Sequence, residues 1–462
     1  MRSQLPKLLA LCLPLFAGAL GACSDDDDFE VVPDAAPADA FAPAPTPADA
    51  GGCVGAACTP DAGVVPDALA ADAGAVNDAG AGVSQGRLLV ADGDPEKPRF
   101  WVVDLDDGST VASFAALGSA RVYSTESGSG YAWVNQRVPG LVEIVASGIS
   151  VQEGMLTKVS PWVLDTRLEG PLPTHWVSHD HWIVSFNDGD GSFDYVLESS
   201  LGTTRPLMRR ATTGKAHHGV ALISQGNVFA SLPNPDPAAT STLPVGVTIR
   251  KLATPDVVFE QSDACPALHG EGSNDEVVAF GCGDGVLIAE RKEGKFAFRK
   301  LPNPADTPMG RRVGTVKAKD GVPRLVGNWG NGFALIPYRD ATPVWTAVDL
   351  GAANRGFDVD ESGQRLVVLA GDGTLRMYNP ITGAALGPPL AVMDAWPTMG
   401  LPPGTPTPGM GLGKDKAFIT DPRVGTVVEV DLATWQKGRT FTVGGQPYSV
   451  AAFGRWMPSP QP

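Results

Sequence analysis

The sequence predicts an all-β chain made of repeats, on three observations. From Arg87 onward, short runs rich in Val, Ile, Phe, Tyr and Trp alternate with Gly, Asp, Asn and Pro. Examples are Arg87-Leu-Leu-Val-Ala-Asp92, Phe100-Trp-Val-Val-Asp-Leu105, Arg365-Leu-Val-Val-Leu-Ala370 and Thr426-Val-Val-Glu-Val-Asp431. Turn signals such as Asp106-Asp107-Gly108 and Gly371-Asp372-Gly373 follow these runs at hairpin spacing. A loose unit of about 40–50 residues recurs, the length of one four-stranded propeller blade. Its clearest copy starts at Arg355, with counterparts near Ala120, His175, His218, His269, Val313 and Gly411 and a strong strand pair at Arg87.

The end of the chain decides the architecture. Pro447-Tyr-Ser-Val-Ala-Ala-Phe453 reads as a first strand that lacks the rest of its unit. Joined to the strands at Arg87, it closes a ring. The expected fold is a single β-propeller over residues 86–455, with eight blades and seven as the alternative. One sandwich of that length would exceed what a single core supports. No helix longer than two turns is expected.

Residues 1–22 read as a signal peptide. Arg2 and Lys7 precede an apolar stretch from Leu8 to Leu20 that is too short to span a bilayer. The stretch ends Leu20-Gly21-Ala22-Cys23, which resembles a bacterial lipobox and predicts lipidation of Cys23. Several acyl chains, at about 0.8 kcal/mol per buried methylene, would anchor the protein firmly. Ser24 after the cysteine favours the outer membrane, with the propeller in the periplasm or at the cell surface. Residues 24–85 are rich in Ala, Pro and Asp and contain twelve acidic residues with no Lys, Arg or His. Such a segment buries too little apolar surface to offset its ordering entropy, so it is expected to act as a disordered tether. Residues 456–462 are a short tail.

The net charge of −16 is mostly that tether's, and the propeller itself is only mildly acidic. No basic patch suits a phosphate backbone, so nucleic acid is an unfavourable partner. Six cysteines include Cys12 in the signal and Cys23 at the anchor. The four others pair most simply as two local disulfides, Cys53–Cys58 and Cys265–Cys282, in an exported protein. The alternative is a metal site that uses Cys265 with the nearby His269.

All six histidines fall in three clusters: His175, His179 and His181; His217 and His218; and His269. Histidine is the commonest protein metal ligand. The first strand of each propeller blade lines the central channel, and His175, His218 and His269 each precede the strong second strand of consecutive blades. Imidazoles from three inner strands can meet at one ion, and three His with a carboxylate or water suit Zn²⁺. His175 and His179 would stand roughly 13 Å apart on an extended strand, at about 3.3 Å per residue, and cannot share that ion. His179 with Asp180 is a candidate second site. Of His217 and His218, adjacent on a strand, only one is expected to face the channel. Asp180 and Glu271 are the nearby carboxylates available to ligate a metal or orient a ring. A channel histidine bonded only to water and backbone carbonyls is the plainer reading.

Several motifs carry a resemblance. Thr174-His-Trp-Val-Ser-His-Asp180, Ala216-His-His-Gly-Val-Ala221 and Cys265-Pro-Ala-Leu-His-Gly-Glu271 are similar to those of the AztD-type zinc metallochaperones. So are Phe280-Gly-Cys-Gly-Asp-Gly-Val286, Gly327-Asn-Trp-Gly330 and Thr420-Asp-Pro-Arg-Val-Gly425, in order across residues 86–455. That family consists of periplasmic β-propellers that pass zinc to the binding protein of an ABC transporter. The resemblance implies zinc-associated roles for His175, His179, His217, His218 and His269, and a disulfide at Cys265–Cys282. Two features depart from the family. The segment Gly148-Ile-Ser-Val-Gln-Glu-Gly-Met-Leu156 has no histidine where the family carries a His- and Asp-rich run, and the lipid anchor is unlike a soluble shuttle. Zinc storage or sensing at a membrane surface therefore stands beside delivery.

Other chemistry is weakly supported. Asn187-Asp-Gly-Asp-Gly-Ser-Phe-Asp194 lacks full EF-hand spacing and reads as a hairpin turn. No G-x-S-x-G elbow, H-E-x-x-H or phosphate loop occurs. The expectation is a non-catalytic zinc-binding propeller, with a protein-docking propeller as the alternative.

Overall fold

In a computed structural model, residues 86–454 are described, apart from 126, 154, 263, 398–400 and 403. Cys23, Cys53 and Cys58, with the proposed signal, tether and tail, lie outside the described residues. The described chain forms eight four-stranded antiparallel sheets and one two-stranded hairpin. The ring is an eight-bladed β-propeller, and its one short helical turn is a 3-10 segment at Glu198–Ser200. The C-terminal strand Pro447–Gly454 is the inner strand of the first blade and pairs with Gly86–Asp92. The first blade then continues outward through Arg99–Asp104 and Thr110–Ala115.

Strand composition follows from the packing of blade on blade. Successive residues of a strand point to opposite faces, and in a ring both faces of each blade are covered by neighbours. The strand Arg99–Asp104 shows this. Phe100 and Val102 enter the core shared with the second blade, while Trp101 and Val103 enter the core shared with the eighth. Middle strands therefore read as continuous apolar runs instead of alternating ones. Eight such cores occur, one at each seam between consecutive blades. Outer strands behave differently, and Thr254–Gln261 is exposed along most of its length.

The second to fifth blades position the histidines. Their inner strands are Arg121–Ser124, Pro173–His179, Ala221–Ser224 and His269–Ser273. The segment 148–158 forms the extra hairpin, Ile149–Gln152 against Met155–Lys158, inserted before the outer strand of the second blade. Ile149 and Val151 are buried in the seam between the first two blades. Buried Arg87 donates through Nη1 to the carbonyls of Ser147, at 2.8 Å, and Val159. Lys158 bridges Asp104 and Asp106 at 2.6 and 2.8 Å. The hairpin is thus tied to the first blade at both ends.

Ring closure can be tested directly. Deleting residues 447–462 should bare the edge of Gly86–Asp92 and open two seams. Urea unfolding followed by tryptophan fluorescence should lose its single cooperative transition. Full cooperativity in the truncated chain would argue against a velcro closure.

Candidate metal centre

The site grows from three loop-to-strand junctions. His175 lies within Pro173–His179, where the register with the next strand shifts between Pro173 and Trp176. His218 sits three residues before its blade's inner strand, in the loop Ala216–Val220, rather than on the strand itself. His269 opens His269–Ser273, again beside a register shift. The pairing is thus irregular beside His175 and His269, and His218 lies in a loop, so none of the three sits in an uninterrupted ladder.

The three rings converge through Nε2. His175 Nε2 lies 3.3 Å from His218 Nε2, which lies 3.1 Å from His269 Nε2. Donor atoms of all three residues fall within 4.8 Å of one another. Each Nδ1 points outward. His218 Nδ1 is 2.7 Å from Asp188 Oδ2, and His269 Nδ1 is 2.8 Å from the carbonyl of Gly314. His175 Nδ1 is 3.6 Å from Glu271 Oε2, a buried oxygen without a hydrogen-bond partner among the described residues.

That arrangement fixes the tautomers of two rings. A carboxylate and a carbonyl only accept, so Nδ1 of His218 and of His269 must donate. On neutral rings both Nε2 atoms then carry lone pairs, and these face each other at 3.1 Å with no proton between them. Two acceptors at that distance repel. A cation between them removes the conflict. With Zn–N bonds of about 2.0–2.1 Å, tetrahedral ligands stand about 3.3 Å apart, close to the spacings seen. The donor set fits zinc in chemistry and in spacing.

The backbone around the rings is built for this. Gly270 has φ +70°, and a Cβ there would meet the Gly314 carbonyl at 2.0 Å. Only glycine lets the loop carrying that carbonyl come close enough to reach His269 Nδ1. Asn328 holds the loop in turn, its Oδ1 accepting from the amides of Gly314 and Thr315 at 2.7 and 2.9 Å. Burial pushes the Asp188 carboxyl up, but the hydrogen bond and charge of His218, with His175 and Thr174, hold it below the usual carboxylate value.

The structure separates the candidates named from sequence. His175, His218 and His269 come together. His217 turns the other way, as expected for the neighbour of His218. Its ring is buried against Phe186, with Nδ1 2.8 Å from the Lys215 carbonyl and Nε2 2.8 Å from Ser231 Oγ. Burial holds its pKa below the ordinary histidine value. His179 ends the same strand that carries His175, at the turn where Asp180 and His181 take positive φ. Asp180 accepts from the Gln225 amide and is not in the three-histidine group. Glu271 stands behind His175. Cys265 is bonded to Cys282, so it is not available as a thiolate ligand beside His269. The bond instead ties the loop leading to His269 onto the strand Val277–Cys282.

Sequence reasoning missed Asp188 and the pair Gly314 and Asn328. Asp188 lay in a run read only as a hairpin turn. Asn328 lay inside the Gly327-Asn-Trp-Gly330 motif, but nothing in the sequence told which loop it would hold.

Comparison with known proteins finds similarity to a zinc chaperone in sequence and in fold. No family model matches the chain. A curated relative, the zinc chaperone AztD of Citrobacter koseri, is 28% identical over 378 residues, covering 80% of this chain and 87% of its own length. The apo AztD structure from the same organism superposes with a TM-score of 0.70 and 26% identity, over 80% of this chain and 98% of that one. A second AztD crystal structure gives 0.71 and 27% over the same shares. This chain resembles AztD in sequence and in fold. The propeller of the dihydro-heme d1 dehydrogenase NirN matches at 0.52 and 11% identity, over 80% of this chain and 75% of that one, a likeness of fold alone. The AztD likeness spans the blades that carry the three histidines, and those blades supply the Nε2 cluster.

The disulfide offers a test of local order. Closing its loop, with a sequence separation of 17 residues, should contribute roughly 3 kcal/mol. The double variant Cys265→Ser/Cys282→Ser should lose about that much in denaturant unfolding. A change well under 1 kcal/mol would mean that the loop is held by its other bonds.

Proposed function

We propose that the protein binds zinc at His175, His218 and His269 and serves as a zinc metallochaperone or zinc store for a zinc ABC transporter system. The observation that carries this reading is the convergence of three imidazole Nε2 atoms, two of which, on neutral rings, face lone pair to lone pair. The AztD likeness supports the choice of zinc and of a chaperone role. Each ring has a carboxylate or carbonyl oxygen behind its Nδ1, so little reorganisation is needed when the ion enters.

Three protein donors leave a tetrahedral ion one exchangeable position. His175, His269 and Glu271 line a channel cavity of about 430 Å³, which gives that position access to solvent or to a donor from a partner. Zinc is the cargo in this reading, and an incoming ligand can take it by stepwise exchange. The partner would be the periplasmic zinc-binding protein of the transporter. Glu271 Oε2, buried and near His175 Nδ1, is placed to accept the proton-bearing side of that ring.

The proposed setting is a membrane surface. Cleavage before Cys23 and its lipidation would leave residues 24–85 as a tether and the propeller in the periplasm or at the cell surface, with the outer membrane favoured. The segment 148–158 has no histidine and is packed into a blade seam. It supplies no second zinc-holding run, which favours retention of zinc at one site as much as delivery.

The deciding experiment uses the full-length protein in detergent, stripped of metal, loaded with zinc and dialysed against a weak chelator. About one zinc per chain should remain, the number that a single His₃ site holds. His218→Ala and His269→Ala should each abolish retention, and His179→Gln should keep it. Retention unchanged in both alanine variants would place zinc elsewhere. No retention in the wild type, with no thermal shift on zinc addition, would leave a tethered propeller that docks proteins.

A further inference from the structure

We infer that Arg137 is the positioning residue that sets the separation of His175 and His218, and with it the rate at which zinc leaves. The inference rests on the zinc reading above. Arg137 belongs to the second blade, which contributes no histidine to the cluster. It begins the turn after the strand Tyr131–Gln136 and reaches across the seam into the third blade.

Its guanidinium contacts both Asp188 and Thr174 there. Nη2 pairs with Asp188 Oδ2 at 3.1 Å, the same oxygen that accepts from His218 Nδ1. Nε donates to Thr174 Oγ1 at 2.9 Å, and Thr174 immediately precedes His175. Thr174 is itself fixed, donating through Oγ1 to the Leu172 carbonyl at 2.9 Å and accepting at its own carbonyl from Asn135 Nδ2 at 3.2 Å. Asp188 Oδ1 faces the Gly219 amide at 3.4 Å. One planar fork therefore bridges the support of one ligand and the residue next to another.

The consequence is geometric. His175 and His218 come from the third and fourth blades, and Asp188 on the third reaches across that seam to His218. Arg137 couples them through a rigid group whose donors keep a constant spacing. Its positive charge also compensates Asp188, whose side chain is only 7% exposed. Lysine can satisfy one of the two contacts at a time but cannot span both.

Loss of groups behind a metal ligand typically weakens binding 10–100-fold. In the full-length protein, Arg137→Met should weaken zinc by about 10–100-fold and speed its release to a chromophoric chelator in proportion. Arg137→Lys should recover part of the loss, and Thr174→Val, which removes the Nε contact together with the hydroxyl's bond to Leu172 but leaves the Arg137–Asp188 pair, should give a smaller effect of the same sign. The visible absorption of the cobalt(II) form should change in Arg137→Met, since the ligand field reports the placement of the rings. A role confined to holding blades together would lower the melting temperature and leave zinc affinity, release rate and cobalt spectrum as in the wild type. That result overturns the inference while zinc binding by the wild type stands. Failure of the wild type to bind zinc removes the reading and the inference together. If Arg137→Met does not fold, Arg137→Lys and Thr174→Val decide the matter by the same readouts.

Discussion

The antiparallel pairing of Pro447–Gly454 with Gly86–Asp92 carries the constraint on which the other blades depend. Each blade is apolar on both faces, so each is stable only between two neighbours. An open array would leave two such faces in water. Closing the ring with a strand from the far end of the chain removes both bare faces at once. It also fixes how closely the inner strands approach the axis. The buried guanidinium of Arg87, bound to backbone carbonyls on either side of the extra hairpin, reinforces the seam next to the closure.

That approach to the axis makes the metal centre possible. Three imidazoles from successive blades are held within a few ångströms of one another by groups they do not share: Asp188, Gly314 and Glu271. One of these supports, and the residue that holds another, come from neighbouring segments of the ring. The Gly314 carbonyl belongs to the loop ahead of the sixth blade, and Arg137 reaches in from the second. The site is therefore spread over five consecutive blades, although only three contribute ligands. Each support accepts a hydrogen bond from Nδ1 or stands close to it, and each leaves Nε2 directed toward the other rings. On neutral rings the result is a set of converging nitrogen donors that could hold a metal ion.

Small residues make the convergence sterically possible. A side chain at Gly219 would collide with His217 Nε2 and Ser231 Oγ, and one at Gly270 would collide with the Gly314 carbonyl. The His-His-Gly and His-Gly pairs are thus packing requirements as much as ligand motifs. His217 belongs to the same logic. It fills the blade interior and hydrogen-bonds on both sides, so the loop can present His218 to the channel.

The sequence by itself determined the all-β class, the eight repeats and the late strand that closes them. These depend on local composition and spacing, which a strand and its turn express directly. It also pointed to His175, His218 and His269, because equal placement in equal repeats puts them at equivalent positions around an axis. The motif resemblance was legible for the same reason, since its landmarks lie in short stretches. Only the tertiary structure decided which ring nitrogens meet, that His217 turns into its blade, that His179 lies outside the cluster, and that Asp188, Gly314 and Arg137 stand behind the three rings. Those contacts join residues far apart in sequence, across seams between blades. Their distances depend on ring closure and on irregular backbone at three loop junctions, and neither leaves a periodic trace in the chain.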